Sequence, residues 1–159
     1  MKIHFSSKSN EWETPQKLFD LLDKEFGFTL DPCATDKNAK CADYFTKQED
    51  GLTKDWTDHA IFMNPPYGHQ ISRWVKKAYN TAQISPYPVV CLLPARTDTR
   101  WWHDYCMRAA EIRFIKGRLK FSDCENSAPF PSAIVIFKSP LGKLPELNIP
   151  ICSSFTVHS

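Results

Sequence analysis

The chain has 159 residues, of which 42% are hydrophobic and 13% aromatic, and its formal net charge is +2. These values are typical of a folded globular protein with one domain and one core. No apolar run approaches the length of a membrane-spanning helix, and the first residues lack the apolar region of a signal peptide, so we expect a cytoplasmic protein without membrane contact. The six cysteines form no C-x-x-C pair, which indicates neither a zinc knuckle nor a redox motif, and no metal is expected.

The first predicted element is a helix that follows Thr14 and Pro15, carries apolar residues at helical spacing and ends at Gly27. A short strand at 28–30 is predicted next, and it ends at Asp31. Doubly wound sheets bind ligands where strands end, so we expect this carboxylate to face a ligand crevice. The alternative is an ordinary cap or turn carboxylate. The polar segment 35–57 predicts only a short strand at 42–45 and a turn around residues 50–51.

The second half of the chain alternates between strands and helices. The predicted elements are a strand at 60–63, a helix at 71–82, a buried strand at 89–93, an aromatic-rich helix at 101–106 and two closing strands at 112–115 and 132–137. This alternation predicts a compact α/β domain with its ligands at the carboxyl ends of the strands. We expect the domain to comprise residues 1–138. Residues 139–159 hold several prolines and little charge, and an extended C-terminal tail is predicted there.

The most informative segment is Asn64-Pro65-Pro66-Tyr67, which directly follows the strand at 60–63. Each proline fixes φ and lacks an N–H, so the segment must run extended and rich in acceptors. The Asn64 amide oxygen and the Pro65 carbonyl can accept both hydrogens of one amine, and the Tyr67 ring can stack on a heterocyclic base. The segment therefore predicts a receptor for the exocyclic amine of a nucleobase, although a simple proline-rich turn is the alternative.

Charge is distributed unevenly along the chain. Residues 1–58 hold eight lysines and twelve acidic residues, whereas residues 59–120 hold ten lysines or arginines and three acidic residues. The basic part contains the Asn64 segment, and a positive surface around a base pocket favours nucleic-acid binding. The alternative is that these basic residues only solvate the surface.

Several motifs together give a resemblance to a known family. They are Glu11-Trp12-Glu13-Thr14-Pro15, Leu30-Asp31-Pro32-Cys33-Ala34, Asp50-Gly51-Leu52 with Asp55-Trp56, Asn64-Pro65-Pro66-Tyr67-Gly68, Leu93-Pro94-Ala95-Arg96-Thr97-Asp98 and Lys116-Gly117-Arg118-Leu119-Lys120-Phe121. Through these motifs together, residues 10–138 of the chain resemble the short phage-type DNA N6-adenine methyltransferases. The resemblance implies a Rossmann-like methyltransferase sheet, mostly parallel with an antiparallel closing strand, and S-adenosyl-L-methionine as cofactor. If a phage encodes the chain, the resemblance places it in the bacterial host cytoplasm.

The resemblance also assigns roles to particular residues. It implies that Trp12, Thr14 and Pro15 hold the methionine end of the cofactor and that the loop Asp31, Pro32, Cys33 and Ala34 lines the same pocket, with Asp31 facing the ammonium. It further implies that Asp50 binds the cofactor adenine and that Asn64, Pro65, Pro66 and Tyr67 hold the flipped target base, with Asn64 also counted among the cofactor-binding residues. Two departures stand out: the glycine-rich first loop is missing, and the acid that grips the ribose has no clear match, with Asp43 the nearest candidate.

Double-stranded DNA is the expected partner. Phosphate or base contacts are predicted for Arg96, Arg100, Arg118 and Lys120, and Phe130 is predicted either to wedge into the duplex or to pack in the core. We expect sequence choice to come from loops near 96–104 and 121–131, and the resemblance implies a short palindromic site. Two alternatives stay open: methylation of an RNA base or a protein glutamine with the same acceptors, and a non-catalytic nucleic-acid-binding derivative.

Overall fold

The computed structural model describes residues 11–140 and 151–157, with the Ile151 side chain excepted. The helices are α1 (Gln16–Phe26), α2 (Ile71–Ile84) and α3 (Arg100–Asp104), and 3-10 turns lie at Gly51–Thr53 and Cys106–Arg108. The strands are β1 (Leu30–Asp31), β2 (Asp43–Tyr44), β3 (Ile61–Met63), β4 (Val89–Pro94), β5 (Glu111–Ile115), β6 (Ser132–Phe137) and β7 (Ile151–Phe155). Within the described residues, no helix is both long and apolar enough to cross a membrane.

All seven strands belong to one sheet in the order β2-β1-β3-β4-β6-β5-β7. Strands β2, β1, β3 and β4 pair in parallel, as do β5 and β7, whereas β6 runs antiparallel to both β4 and β5. The predicted α/β fold, a mostly parallel sheet with an antiparallel closing strand, is confirmed. Because β1, β3 and β4 are parallel, the segments that follow them emerge at the same edge of the sheet.

The apolar patterns explain the centre of the fold. Every residue of β4 and β6 is buried, as expected of strands covered on both faces. Helix α1 buries Leu18, Phe19 and Leu22 on one side. It ends at Gly27, which adopts a left-handed φ of 63° and donates its N–H to Asp23 O at 2.8 Å.

Three elements differ from the sequence-based expectation. The strand predicted at 28–30 is shorter and lies later, at Leu30–Asp31. The Phe28 N–H donates to the Asp23 carboxylate at 2.8 Å and not to a neighbouring strand. The helix predicted over 101–106 ends at Asp104 and continues as a 3-10 turn. Within the predicted tail, residues 151–155 form β7 at the edge of the sheet beside β5. Residues 141–150 of that tail lie outside the described residues, and the domain boundary at 138 stays a prediction.

Candidate active site

A cavity of about 700 Å³ lies at the carboxyl ends of β1 and β3. It gathers most of the residues that the sequence assigned to the cofactor, which are Trp12, Thr14, Asp31, Pro32, Cys33, Ala34, Asp50 and Asn64. Pro65 and Pro66 also line it. Pro15, the N-cap residue of α1, does not line it. Four segments far apart in sequence therefore form one wall. The segments after β1, β2 and β3 meet because these strands are parallel, and the segment before α1 joins them through the Asn64 amide, which donates to Trp12 O.

Asp31 is a buried carboxylate in the wall of this cavity, with 5% of its surface exposed. Its Oδ1 accepts the Cys33 N–H at 3.3 Å and its Oδ2 accepts the Lys40 N–H at 3.1 Å. Burial raises the pKa of Asp31 from 3.8 to about 6, and the two N–H donors lower it only in part. An ionised carboxylate held in this way favours a cationic ligand group. The Cys33 thiol beside it is neutral, since burial raises its pKa well above the ordinary value.

The loop at Asp50 forms a second part of the wall. Asp50 adopts a φ of 51°, which is unusual for a residue other than glycine, and its carboxylate accepts the Leu52 N–H at 3.2 Å. Gly51 packs so closely on the neighbouring loop that an added Cβ would lie 2.3 Å from Pro32 O. Trp56 fixes the same glycine by donating its indole N–H to Gly51 O at 2.9 Å. The position of Asp50 is therefore set by its neighbours.

Asn64 has an amide whose orientation is fixed. Its Nδ2 donates to Trp12 O at 2.5 Å and to Thr14 Oγ1 at 2.9 Å. Its Oδ1 is buried and has no hydrogen-bond partner among the described residues. A buried acceptor without a donor is costly, so this oxygen is an available site for an N–H group.

Tyr67 is buried, unlike the open stacking face that the sequence predicts. Its side chain is 4% exposed, it does not line the cavity, and its hydroxyl donates to Leu92 O at 3.0 Å. Phe130 and Phe121 pack against it with ring centroids at 5.6 and 6.3 Å. Both rings belong to the loop at 121–131, which was predicted to choose the target sequence, and both also pack on Trp12. Phe130 is thus part of an aromatic cluster in this structure.

The four predicted DNA-contacting cations, which are Arg96, Arg100, Arg118 and Lys120, are all exposed or partly exposed and lie outside the cavity wall. Arg96 follows β4 at the edge of the sheet that also carries Asn64. Its positive charge lowers the pKa of Tyr67, although burial has the larger effect and raises it. Lys120 directly precedes Phe121 in the aromatic cluster. At least two of the cations therefore lie near the Asn64 segment.

Sequence reasoning missed several residues of the cavity. Trp74 matched the apolar stripe of α2, yet its ring reaches the wall beside Gly51. Lys40 contributes the backbone N–H that holds Asp31, a role for which no side-chain signal exists. Asp43, the candidate for the ribose, is exposed on β2 and does not line the cavity. In the described residues, no group of three or more His, Cys, Asp or Glu side chains could hold a metal ion.

Comparison with known proteins fits this geometry. The profile of the DNA N-6-adenine-methyltransferase (Dam) family matches residues 4–146. A DNA N-6-adenine-methyltransferase of Haemophilus phage HP1 (strain HP1c1) is 32% identical over 149 residues, which cover 87% of this chain and 85% of the relative. The chain belongs to the Dam family. The family that the sequence motifs predicted is thereby confirmed.

A second Dam relative matches a smaller part of its own length. The DNA N-6-adenine-methyltransferase of Escherichia phage T1 is 29% identical over 110 residues, which cover 68% of this chain and 45% of the relative. The Dam profile includes every residue that lines the cavity and the whole Asn64 segment. The described site therefore lies within the part of the chain that defines the family.

Proposed function

We propose that this protein is an S-adenosyl-L-methionine-dependent methyltransferase that flips an adenine out of duplex DNA and methylates its N6 amine within a short palindromic site. Membership in the Dam family supports the reaction class. The observation that carries the proposal is the buried Asn64 Oδ1, which has no partner among the described residues, at the wall of a cavity of about 700 Å³. An exocyclic amine supplies the donor that this oxygen lacks.

The described cavity suits the proposed cofactor. Its volume lies within the range of about 300–1,000 Å³ that is typical of small-molecule sites. Asp31 offers a buried carboxylate for an ammonium group, and Asp50 offers an exposed acceptor on a rigid loop. S-adenosyl-L-methionine, when bound, supplies an electrophilic methyl group. The absence of a G-x-G-x-x-G dinucleotide loop from the sequence is consistent with this ligand, because the cofactor carries no phosphate.

Asn64 and Pro65 position the target amine in the proposed reaction. The adenine amine is a weak nucleophile because its lone pair is delocalised into the ring. Acceptance of its two hydrogens by Asn64 Oδ1 and the Pro65 carbonyl localises that lone pair and directs it toward the methyl group. As the new N–C bond forms, the bond between the methyl carbon and the cofactor sulfur would break with its electron pair going to sulfur, S-adenosylhomocysteine would leave, and the nitrogen would give one proton to water. Asn64 is neutral, so it acts through orientation and charge stabilisation.

Target binding requires movement of the aromatic cluster. Tyr67 is 4% exposed and Asn64 Oδ1 is buried, so a flipped base reaches both only when neighbouring side chains shift. Phe130 is the natural candidate because it is half-buried and packs on both Tyr67 and Trp12. Extraction of a base costs a few kcal/mol, which stacking and hydrogen bonding in the pocket offset. Arg96 and Lys120 are the cations that we assign to the flanking phosphates.

The proposal is tested by incubation of the protein with S-adenosyl-L-methionine and unmethylated duplex DNA, followed by mass spectrometry of the nucleosides. Single-stranded RNA and a glutamine-containing peptide are the parallel substrates. N6-methyladenine from the DNA alone is expected. Methyl transfer to RNA or peptide and not to DNA would contradict the choice of substrate, and N4-methylcytosine would contradict the choice of base.

Base flipping and site choice need separate measurements. Sequencing of the methylated DNA reveals the target site, for which a short palindrome is expected. A duplex with 2-aminopurine at the target position then reports flipping, because its fluorescence rises when the base leaves the stack. An unchanged fluorescence on saturation with protein would rule out flipping while leaving the methylation result intact.

A further inference from the structure

Asn64 is held at its nitrogen by two acceptors of different kinds. Trp12 contributes a backbone carbonyl, which can only accept, and Thr14 contributes a hydroxyl oxygen. The carbonyl determines which end of the amide is the nitrogen. Rotation of the amide by 180° would place Oδ1 against Trp12 O and turn the N–H groups toward the incoming amine, which is itself a donor. The reactive arrangement therefore depends on the atoms that hold Nδ2.

Thr14 is suited to this holding role by its own surroundings. It is 4% exposed, and because it precedes Pro15 its backbone is restricted to an extended conformation. The segment is fixed from the other side by Ser122, whose N–H donates to Glu13 O at 3.0 Å and whose hydroxyl donates to Thr14 O at 3.3 Å. The Thr14 hydroxyl thus occupies a defined place 2.9 Å from Asn64 Nδ2.

We propose that Thr14 is a positioning residue for methyl transfer, whose hydroxyl oxygen holds the Asn64 amide with Oδ1 presented to the target amine. This inference rests on the proposed function and differs from the family-based expectation, in which Thr14 helps to hold the cofactor. The two roles make different demands on the hydroxyl. A positioning role affects the rate of the chemical step, whereas a cofactor contact affects the affinity for S-adenosyl-L-methionine.

The test compares Thr14→Val, which keeps the shape and removes the hydroxyl, with Thr14→Ser, which keeps the hydroxyl. Loss of one hydrogen bond in the transition state lowers a rate by about tenfold. We expect Thr14→Val to lower kcat on duplex DNA by at least about that factor, while its Kd for S-adenosyl-L-methionine, measured by calorimetry, changes less than about threefold. Thr14→Ser should recover most of the lost kcat. Thermal unfolding of each variant reports whether the fold is retained.

A double-mutant cycle separates this role from a general structural one. If Thr14 acts through Asn64, Thr14→Val should have little further effect on the residual kcat of Asn64→Ala, because the amide that it orients is gone. The same loss in both backgrounds would overturn the proposal. So would a wild-type kcat in Thr14→Val, or a loss confined to cofactor affinity. Inactive wild-type protein would instead overturn the proposed function itself, and with it this inference.

Discussion

At the scale of single residues, Asp31 shows how a buried carboxylate can act against the stability of its own fold. Its carboxylate is 5% exposed, and burial raises its pKa from 3.8 to about 6. The folded chain therefore binds the Asp31 proton more tightly than the unfolded chain does. Stability from this group is fully present well below pH 3.8 and is lost as the pH rises from there through about 6.

We expect the free energy of unfolding of the wild-type protein to contain a decrease of about 3 kcal/mol between about pH 3 and about pH 7, because the two pKa values, 3.8 and about 6, lie about two units apart. The Asp31→Asn variant should lack this component. Urea denaturation of both proteins across this pH range gives the slope of the free energy of unfolding against pH for each. The difference between the two slopes is the contribution of Asp31. Parallel stability profiles for wild type and variant would show that Asp31 is not the titrating group.

The orientation of Asn64 explains why an amide and not a carboxylate occupies this position. An Asn64→Asp carboxylate cannot donate to Trp12 O, which lies 2.5 Å from Asn64 Nδ2, and two oxygens at that distance repel each other. We expect Asn64→Asp to lower kcat by about tenfold or more, because the side chain at position 64 is no longer held in its orientation. Steady-state methylation of duplex DNA measures the effect.

Asn38→Asp is the matched control for added charge. Asn38 lines the same cavity, and its side-chain oxygen accepts the Thr35 N–H at 2.7 Å, a contact that a carboxylate can keep. This variant should retain a kcat within about threefold of wild type, since it loses no more than a weak interaction. Equal losses in the two variants would attribute the effect to charge in the cavity and not to the Asn64 contact.

At the scale of elements, sequence reasoning succeeded where a pattern is local and failed where distant segments meet. The helical stripe before Gly27 predicts α1, and the continuous apolar runs predict β4 and β6. The burial of Tyr67 could not be predicted, because the rings that cover it, Phe121 and Phe130, lie more than fifty positions away in the sequence. The positions of the loops around the cavity depend on such contacts.

Gly51 is the contact between the two loops that carry Asp31 and Asp50. A Cβ there would lie 2.3 Å from Pro32 O and 3.2 Å from the Trp74 ring. We expect Gly51→Ala to lower the free energy of unfolding by about 1–3 kcal/mol through overpacking and to weaken S-adenosyl-L-methionine binding by about tenfold or more, since both loops must separate. Denaturation and calorimetry measure the two effects.

Gly117→Ala serves as the control for a general effect of glycine replacement. Gly117 has a φ of 76°, and among the described residues no neighbouring side chain or backbone atom lies within 4 Å of where an added Cβ would stand. Its replacement therefore strains the backbone by about 1–2 kcal/mol without displacing a neighbour. It should leave cofactor affinity unchanged. A normal affinity in Gly51→Ala would mean that the loop contact does not shape the cavity.

At the scale of the whole molecule, the order of motifs along the chain predicted more of the site than any single element did. Parallel strands β1, β3 and β4 bring the segments after them to one edge, and that rule placed Asp31 and Asn64 in one wall. The position of β7 was beyond prediction, because an edge strand with a mixed sequence carries no sign of its partner, here β5. The uneven distribution of charge predicts a DNA-binding face near the same edge.

We expect the logarithm of DNA affinity to fall linearly with the logarithm of salt concentration, with a slope of about −0.9 for each phosphate contacted. Arg96→Gln should reduce the magnitude of that slope by about 1 if Arg96 contacts one phosphate. Fluorescence anisotropy with a labelled duplex at several salt concentrations measures the slope.

Lys24→Gln provides the control for a simple loss of positive charge. Lys24 is exposed in the last turn of α1, which leads into the amino end of β1, so it lies at the opposite edge of the sheet. Its removal should leave the slope unchanged. Equal slopes for wild type and Arg96→Gln, or equal reductions in the two variants, would argue against a localised DNA face that includes Arg96.

The most direct test of the proposed chemistry is the single-turnover rate of methyl transfer to unmethylated duplex DNA by wild type and by Asn64→Ala, with the products identified by nucleoside mass spectrometry. We expect N6-methyladenine from the wild type and a rate lower by about a hundredfold or more in the variant, the loss typical of one preorganised hydrogen-bonding group. Cofactor binding by the variant should change little, since Asp31 and Asp50 remain. Undiminished transfer by Asn64→Ala would remove Asn64 from the mechanism, and the absence of methylated adenine from the wild-type reaction would contradict the proposed activity.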